Sequence, residues 1–304
     1  MADTLSAVAD DIPPMLSGAA DLLGNTGTKI ADASAITREE FTGRLVHYGI
    51  REFGMAAAMN GMAASGGVLP FGGTFFIFSD YMRGAVRLAA LQGTKVGFIW
   101  SHDSIGLGED GPTHQPVEQL ASLRAMPGLT LIRPADANEA AQALKVHVEG
   151  DGPTGLVLTR QKLPILENSA QRSVDGVPRG AYTIVDEDAD APHVILVGTG
   201  SEVSLCVEAR ELLTAKGHTV RVVSMPSWEL FADQSPEYRD SVLPPGVPTV
   251  AVEAGSTFGW ERYADDVIGI DRFGASAPGA TVMKEYGFTP ENVARRAEDL
   301  LGAV

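Results

Sequence analysis

The chain has 304 residues, and its 39 acidic and 23 basic side chains give a formal charge of −16. This length suits two domains better than one, and a hydrophobic content of 44% is enough for a sizeable core. Because so acidic a surface repels phosphate backbones and anionic lipids, neither nucleic acid nor a membrane is an expected partner.

The N-terminal segment 1–14 has no basic region followed by an apolar core, and no apolar run approaches membrane-spanning length. These features predict a soluble cytoplasmic protein. Cys206 is the single cysteine, so an intrachain disulfide cannot form. Its apolar helical surroundings favour a buried, unreactive thiol over a nucleophile.

Apolar runs alternate with helical patterns along most of the chain. Strands are predicted at 95–100, 130–132, 155–159, 193–197, 219–224 and 249–253, and helices at 115–126, 136–148, 201–216 and from 289 onward. The helix at 136–148 begins with a capping-box pattern, Asp136 followed by Glu139, and Pro290 favours the start of the last helix.

A polar stretch at 167–179 interrupts this alternation and is interpreted as an interdomain linker. We therefore predict an α/β protein with two open, mainly parallel-sheet sandwiched domains, 1–168 and 182–304, joined by a linker at 169–181. The acidic stretch 186–190 is interpreted as a solvated loop.

The segment SHDSIGLGEDGPTHQP, 101–116, follows a predicted strand and precedes a predicted helix, where open α/β sheets place their sites. It has no apolar period, and it concentrates His102, Asp103, Glu109, Asp110 and His114 around three glycines. The alternatives are a solvated loop and a functional loop, and the two histidines favour function. Because these histidines match no ligand spacing, metal binding by the loop is not expected.

Two further segments have structural explanations when each is taken alone. In HYGIREFGM, 47–55, Glu52 precedes an apolar helical stretch, where a carboxylate complements the helix dipole. In FGGTFFIFSDY, 71–81, the aromatic residues Phe75, Phe78 and Tyr81 recur every three residues, which is more typical of a core stripe than of a ligand pocket.

The turn GTGSEV, 198–203, joins a predicted strand to a predicted helix. A dinucleotide-binding fingerprint needs a third glycine where Val203 stands. The segment is therefore interpreted as a tight turn with Ser201 capping the following helix.

Taken together, these segments resemble the transketolase family. The resemblance also includes LIRPADANE and RFGAS, and it runs from about Met1 to the C-terminus in family order. The loop HDSIGLGEDGPTHQP is specific to transketolases, whereas pyruvate dehydrogenase beta subunits and deoxyxylulose phosphate synthases share the architecture without it. The resemblance implies a pyrimidine-binding domain followed by a transketolase C-terminal domain.

The family reaction, as the resemblance implies, transfers a two-carbon ketol unit from a ketose phosphate to an aldose phosphate with thiamine diphosphate as cofactor. Glu52 matches the glutamate that hydrogen-bonds the aminopyrimidine ring nitrogen and favours the imino tautomer, whose nitrogen takes the thiazolium proton. Phe75, Phe78 and Tyr81 match the aromatic pocket that stacks on this ring. The resemblance thus reverses the core interpretation of these three residues.

The resemblance also assigns the sugar-binding residues. His114 matches a catalytic histidine that contacts the reacting end of the sugar. Asp21 and Asp110 match residues that bind substrate hydroxyls, while His102 and Arg160 match residues that hold the sugar phosphate. Asn25 stands where the family usually has a serine that binds this phosphate, so phosphate binding is expected to differ.

The family's diphosphate- and magnesium-binding domain, with its GDG motif and downstream asparagine, has no match here. The GDG at 150–152 lacks that asparagine and is interpreted as a plain turn, and the sequence starts just after a family arginine that binds the phosphate. These departures predict one subunit of a split transketolase in a homo- or hetero-oligomer, with Mg²⁺ ligands on an N-terminal partner subunit. The alternatives are a truncated or non-catalytic interaction module and a related ketol or acyl transfer to another sugar phosphate.

Overall fold

The computed structural model describes residues 1–21, 23–186 and 192–302. The strands are β1 Met15–Ala19, β2 Leu45–His47, β3 Leu69–Phe75, β4 Gly97–Ser101, β5 Thr130–Ile132, β6 Thr154–Leu158, β7 Tyr182–Val185, β8 Val194–Gly198, β9 Val220–Ser224, β10 Thr249–Val252 and β11 Asp266–Ile268. The α-helices are α1 Ala2–Val8, α2 Leu23–Thr26, α3 Glu52–Ala64, α4 Ser79–Gln92, α5 Gln119–Arg124, α6 Ala137–Glu149, α7 Ser169–Gly176, α8 Glu202–Thr214, α9 Trp228–Ala232, α10 Pro236–Val242, α11 Gly279–Glu285 and α12 Pro290–Gly302.

The strands form two sheets. The first has six parallel strands in the order β2-β1-β3-β4-β6-β5. The second has the order β11-β10-β8-β9-β7, with β7 antiparallel to β9 and the other neighbours parallel. These sheets confirm the prediction of an α/β protein with two open, mainly parallel sheets.

Each predicted strand is confirmed to within two residues at either end. The helix predicted at 115–126 is shorter, because α5 begins only at Gln119, whose side-chain Oε1 accepts a hydrogen bond from the Val117 N–H at 3.0 Å. The predicted capping box is present at α6, where the Glu139 N–H donates to Asp136 Oδ1 at 3.0 Å. The Glu139 carboxylate in turn accepts from the Ala135 N–H at 2.7 Å.

The prediction that the Ser201 side chain caps α8 is wrong. Ser201 does precede α8, but its hydroxyl donates to Glu202 Oε1 at 2.5 Å instead of accepting from the helix backbone. The prediction for Cys206 is confirmed, since this residue is fully buried and burial raises the pKa of its thiol.

The segment predicted as a linker, 169–181, is mostly helical and packed. It contains α7 and a 3-10 turn at Val177–Arg179. The buried face of α7 carries Ser169, Ser173 and Gly176, so the helix lacks the apolar period that sequence reasoning relies on. Asn138 of α6 donates to Ser169 Oγ at 2.8 Å, which fixes the start of α7. Of the acidic stretch 186–190, residues 187–190 lie outside the described residues, and Asp186 pairs with Arg221 at 3.0 Å.

The two sheets share one continuous apolar core, to which residues on both sides contribute, such as Ile132 and Leu144 with Val203 and Val252. Ion pairs reinforce this contact, for example Arg124 Nη2 with Glu253 Oε2 at 2.6 Å. No helix among residues 1–21, 23–186 and 192–302 has the length and apolar character needed to cross a membrane.

His147 of α6 is a buried histidine whose two ring nitrogens lack a hydrogen-bond partner among the described residues. Its ring lies edge-on to Phe71 at 5.1 Å, and burial lowers its pKa to about 3. Because the unfolded chain takes up this proton below pH 6.5 and the folded chain does not, stability falls as the pH drops from 6.5 towards 3. His147 changes the free energy of unfolding by at most about 1.4 kcal/mol per pH unit.

We therefore expect His147→Leu to lose less unfolding free energy than the wild type between pH 6.5 and 4. The measurement is urea unfolding at several pH values. His193→Leu is the matched control, because His193 is exposed. An identical pH dependence for His147→Leu and wild type would contradict this prediction.

Candidate functional site

The carboxyl ends of five parallel strands in the first sheet meet at one edge, where open α/β sheets bind their ligands. Each of these strands ends in, or is followed within five residues by, one residue predicted for the site. These residues are Asp21 after β1, Glu52 after β2, Phe75 at the end of β3, His102 after β4 and Arg160 after β6.

A cavity of about 560 Å³ opens at this edge. It is lined by Asp21, Thr26, Ile50, Glu52, Thr74, Phe75, Phe78, Tyr81 and His114. The fold therefore brings together six residues that the sequence predicted for the site, drawn from four separate segments of the chain.

Glu52 is the first residue of α3 and is only 8% exposed. The Thr74 hydroxyl donates to its Oε1 at 3.5 Å, from the end of β3. Gly72, two residues before Thr74, lets α3 pack closely on β3. A Cβ on Gly72 would lie 2.2 Å from the Met59 sulfur of α3, so a larger residue there would displace the methionine side chain.

The aromatic residues form a wall beside this carboxyl group. The rings of Phe75 and Phe78 are parallel within 7°, with centroids 6.1 Å apart, and Phe78 lies 5.8 Å from Tyr81. The His114 ring meets Phe78 edge-on at 5.5 Å. Because Tyr81 is 69% exposed, the interpretation of these residues as a core stripe is wrong.

His102 stacks on Phe75 with a centroid distance of 3.6 Å, and its Nδ1 lies 2.9 Å from Ser101 Oγ. Its backbone is left-handed, with φ of 62°, which is uncommon for a residue other than glycine. Burial, followed by the positive charge of Arg160, lowers the pKa of His102 to about 4, although Asp110 and Asp103 oppose the shift. At neutral pH the ring is therefore uncharged and can donate one N–H.

Arg160 and Asp110 are both exposed, and their opposite charges shift the pKa of His102 in opposite directions. Asn25 is placed differently, because it lines an adjoining cavity of about 400 Å³ together with Gln161 and not the aromatic cavity. Thr26 lines both cavities and so marks the boundary between them.

Sequence reasoning missed three residues of the lining, Thr26, Ile50 and Thr74. Ile50 and Thr74 lie inside the segments that carried the resemblance, so their position next to Glu52 and Phe75 in the sequence could have indicated that they line the site. No feature of the sequence indicated Thr26. It reaches the cavity because Gly73 leaves room for it, since a Cβ there would lie 2.8 Å from the Thr26 Cβ.

The chemistry of the lining fits an uncharged flat heterocycle. It offers aromatic faces for stacking and a buried carboxyl group for one hydrogen bond, and none of its described lining residues is a lysine or an arginine. A diphosphate group therefore finds no cationic partner within this lining. Nor do the described residues bring together three His, Cys, Asp or Glu side chains that could hold a metal ion.

Two protein-family models match the chain. They are "Transketolase, pyrimidine binding domain" over residues 1–165 and "Transketolase-like TK C-terminal domain" over residues 180–289. The transketolase of Geobacillus stearothermophilus is 52% identical over 99% of this chain and 46% of its own length. A crystal structure of Pichia stipitis transketolase in complex with sedoheptulose 7-phosphate is 44% identical, with a TM-score of 0.94 over 98% of this chain and 44% of that one.

A split-gene transketolase, described as an inactive beta4 tetramer, shares the fold with a TM-score of 0.79 at 23% identity, over 99% of this chain and 96% of that one. The Geobacillus and Pichia enzymes are more than twice as long as the part that matches, so this chain spans just under half of their length. From its matches to both family domains and from these identities, the chain belongs to the transketolase family.

Proposed function

We propose that this chain provides the pyrimidine-side half of a thiamine-diphosphate-dependent transketolase site. The reaction is the transfer of a two-carbon ketol unit from a ketose phosphate to an aldose phosphate. The observation that carries this proposal is the cavity in which the Glu52 carboxyl group, three aromatic rings and His114 come together at the sheet edge.

Phe75, Phe78 and Tyr81 would hold the aminopyrimidine ring by stacking, and Glu52 would hold a proton at its ring nitrogen. Thiamine diphosphate supplies, when bound, a nucleophilic carbon and an electron sink for breaking the bond beside the ketose carbonyl. The low exposure of Glu52 keeps water from competing for this hydrogen bond. The aromatic wall also limits the orientation of the ring, which preorganises the site.

The sugar is proposed to lie between the aromatic cavity and the loop after β4. Asp21 and Asp110 would accept hydrogen bonds from its hydroxyl groups, and His114 would contact its reacting end. The planar fork of Arg160 suits a phosphate group, and neutral His102 can add one N–H donor. The Pichia stipitis relative was crystallised with a ketose phosphate, which supports this substrate class.

A second polypeptide is proposed to supply the diphosphate and Mg²⁺ ligands. The exposed face of α3 carries Phe53, Gly54, Ala57, Ala58 and Gly61, without a charged side chain at these positions. A helix that is apolar on its outer as well as its inner side normally packs against another element. The split-gene transketolase shares this fold at almost the same length, and the partner chain and hetero-oligomer are part of our proposal.

The test is to mix this chain with a purified transketolase N-terminal subunit and assay ketol transfer from xylulose 5-phosphate to ribose 5-phosphate. We expect activity only when both chains, thiamine diphosphate and Mg²⁺ are present. Each chain alone and each omission of a cofactor are the controls. A stable complex without transfer at saturating cofactor would overturn the proposal in favour of a non-catalytic interaction module.

A further inference from the structure

The side chain of Arg133 joins the two sheets deep inside the protein. It follows β5 of the first sheet and is 1% exposed. On the second sheet's side, its Nη1 donates to the Thr199 carbonyl at 2.7 Å and to Glu202 Oε2 at 2.5 Å. On the other side, its Nε donates to Asp103 Oδ2 at 2.9 Å, and its Nη2 lies 2.8 Å from the same oxygen. One guanidinium group thus bridges the β8–α8 turn and the loop after β4.

The turn GTGSEV, 198–203, is shaped to receive this side chain. Gly200 has φ of 59°, and a Cβ on it would lie 2.6 Å from the Arg133 Cζ. Its N–H donates to the Arg133 carbonyl at 3.2 Å, while the Arg133 N–H donates to the Pro226 carbonyl at 2.9 Å. Gly200 therefore accommodates an arginine of the other sheet, in a turn whose glycines could also suggest a nucleotide site.

Glu202 fixes the geometry of this turn as well as the arginine. Its Oε2 also accepts from the Ala254 N–H at 2.9 Å, at the end of β10. Burial raises the pKa of Glu202, and the neighbouring Arg133 opposes this shift. Because Glu202 is held by the Ala254 N–H as well, its carboxylate offers the guanidinium a fixed partner.

Asp103 connects this cluster to the candidate site, because it directly follows His102 in the chain. Its side chain is 1% exposed, and its Oδ2 is the atom held by Arg133. His102 has a left-handed backbone, which costs free energy for a residue with a side chain and persists only where neighbouring contacts hold it. The bond between Asp103 and Arg133 is such a contact, one residue away.

We propose that Arg133, seated in the 198–203 turn, is a positioning residue that holds His102 in place through Asp103. The second sheet thereby sets the phosphate affinity of a site built on the first. The phosphate part of this inference rests on the proposed function, whereas the positioning part does not.

Two variants weaken the bridge while keeping a positive charge at position 133. Arg133→Lys keeps the positive charge, but a single ammonium group cannot reach Asp103, Thr199 and Glu202 together. Gly200→Ala keeps every charge and displaces the guanidinium. Tyr182→Phe is the matched control, because it removes a different buried hydrogen bond that Tyr182 donates to Glu139 at 2.7 Å.

The first measurement is hydrogen–deuterium exchange of the amides in 101–106 in the full chain, without cofactor or partner. We expect exchange about tenfold faster in Arg133→Lys and Gly200→Ala, which corresponds to about 1.4 kcal/mol, and no change there in Tyr182→Phe. Unchanged exchange in both variants, or an equal increase in Tyr182→Phe, would overturn the positioning role. This result is independent of whether the complex is active.

The second measurement uses the assembled complex. In both variants we expect the KM for ribose 5-phosphate to rise about tenfold, with little change in kcat or in the KM for the unphosphorylated acceptor glycolaldehyde. An equal rise for both acceptors would exclude an effect through the phosphate. If the wild-type complex transfers no ketol unit, the proposed function fails, and the exchange experiment still decides the role of Arg133.

Discussion

Glu52→Gln is expected to lower the turnover of the reconstituted complex by a factor of about 100 to 10,000, the range of a positioned acid–base group. The Glu52 carboxyl lines the same cavity as the aromatic wall and accepts a hydrogen bond from the Thr74 hydroxyl at 3.5 Å. A glutamine fills the same space but cannot share a proton with a ring nitrogen. The loss is therefore expected in kcat, with the affinity for the sugar substrates largely retained.

Folding should be almost unaffected, because a carboxylate in the first turn of a helix stabilises it by only about 0.3–1 kcal/mol. Glu291→Gln is the matched control, since Glu291 occupies the first turn of α12 and is exposed. We expect both variants to lose a similar, small amount of stability in thermal unfolding, while only Glu52→Gln loses turnover. Turnover of Glu52→Gln within twofold of wild type would remove this carboxyl from the mechanism.

The second large effect concerns association with the partner chain. Phe53 is 56% exposed on α3, and its ring extends over α4, where a Cβ on Gly84 would lie 3.5 Å from it. Tyr81, also exposed, continues the apolar surface towards the cavity. Buried aromatic residues at the centre of an interface typically contribute 2–4 kcal/mol, so Phe53→Asp should weaken the complex by about 30- to 1,000-fold.

Leu212→Asp is the control, because Leu212 is an exposed apolar residue of similar kind on α8 of the second sheet. Analytical ultracentrifugation or titration calorimetry with the N-terminal subunit measures the affinity. Circular dichroism establishes that each variant is folded. Equal weakening by both variants, or wild-type affinity for Phe53→Asp, would show that the exposed face of α3 is not the contact.

These two predictions depend differently on the tertiary structure. The segment 47–55 was enough to indicate Glu52 as a site residue, and the fold places its neighbours around it. Nothing in the sequence indicates that Phe53 is exposed, because an apolar residue in an apolar helix is expected to be buried. Only the packing of α3 on β3 through Met55 and Met59, both fully buried, shows which side of this helix remains exposed.

Several features follow from the sequence because the forces behind them are local. Alternating strand and helix patterns were enough to predict two mainly parallel sheets, and the spacing of Asp136 and Glu139 was enough to predict the start of α6. The same local rules failed at α7, whose buried face consists of serine and glycine. They also failed at Ser201, because its hydroxyl prefers the neighbouring Glu202 carboxylate to the helix backbone.

Residue type, spacing and order were enough to predict the fold class, the family resemblance and most residues of the candidate site. Which of these residues meet in space depends on the tertiary structure. It separated Asn25 into an adjoining cavity, added Thr26 to the lining, and seated Arg133 against a glycine turn 67 residues later in the chain. Such contacts join distant segments through buried charge and close packing, and no pattern within either segment specifies them.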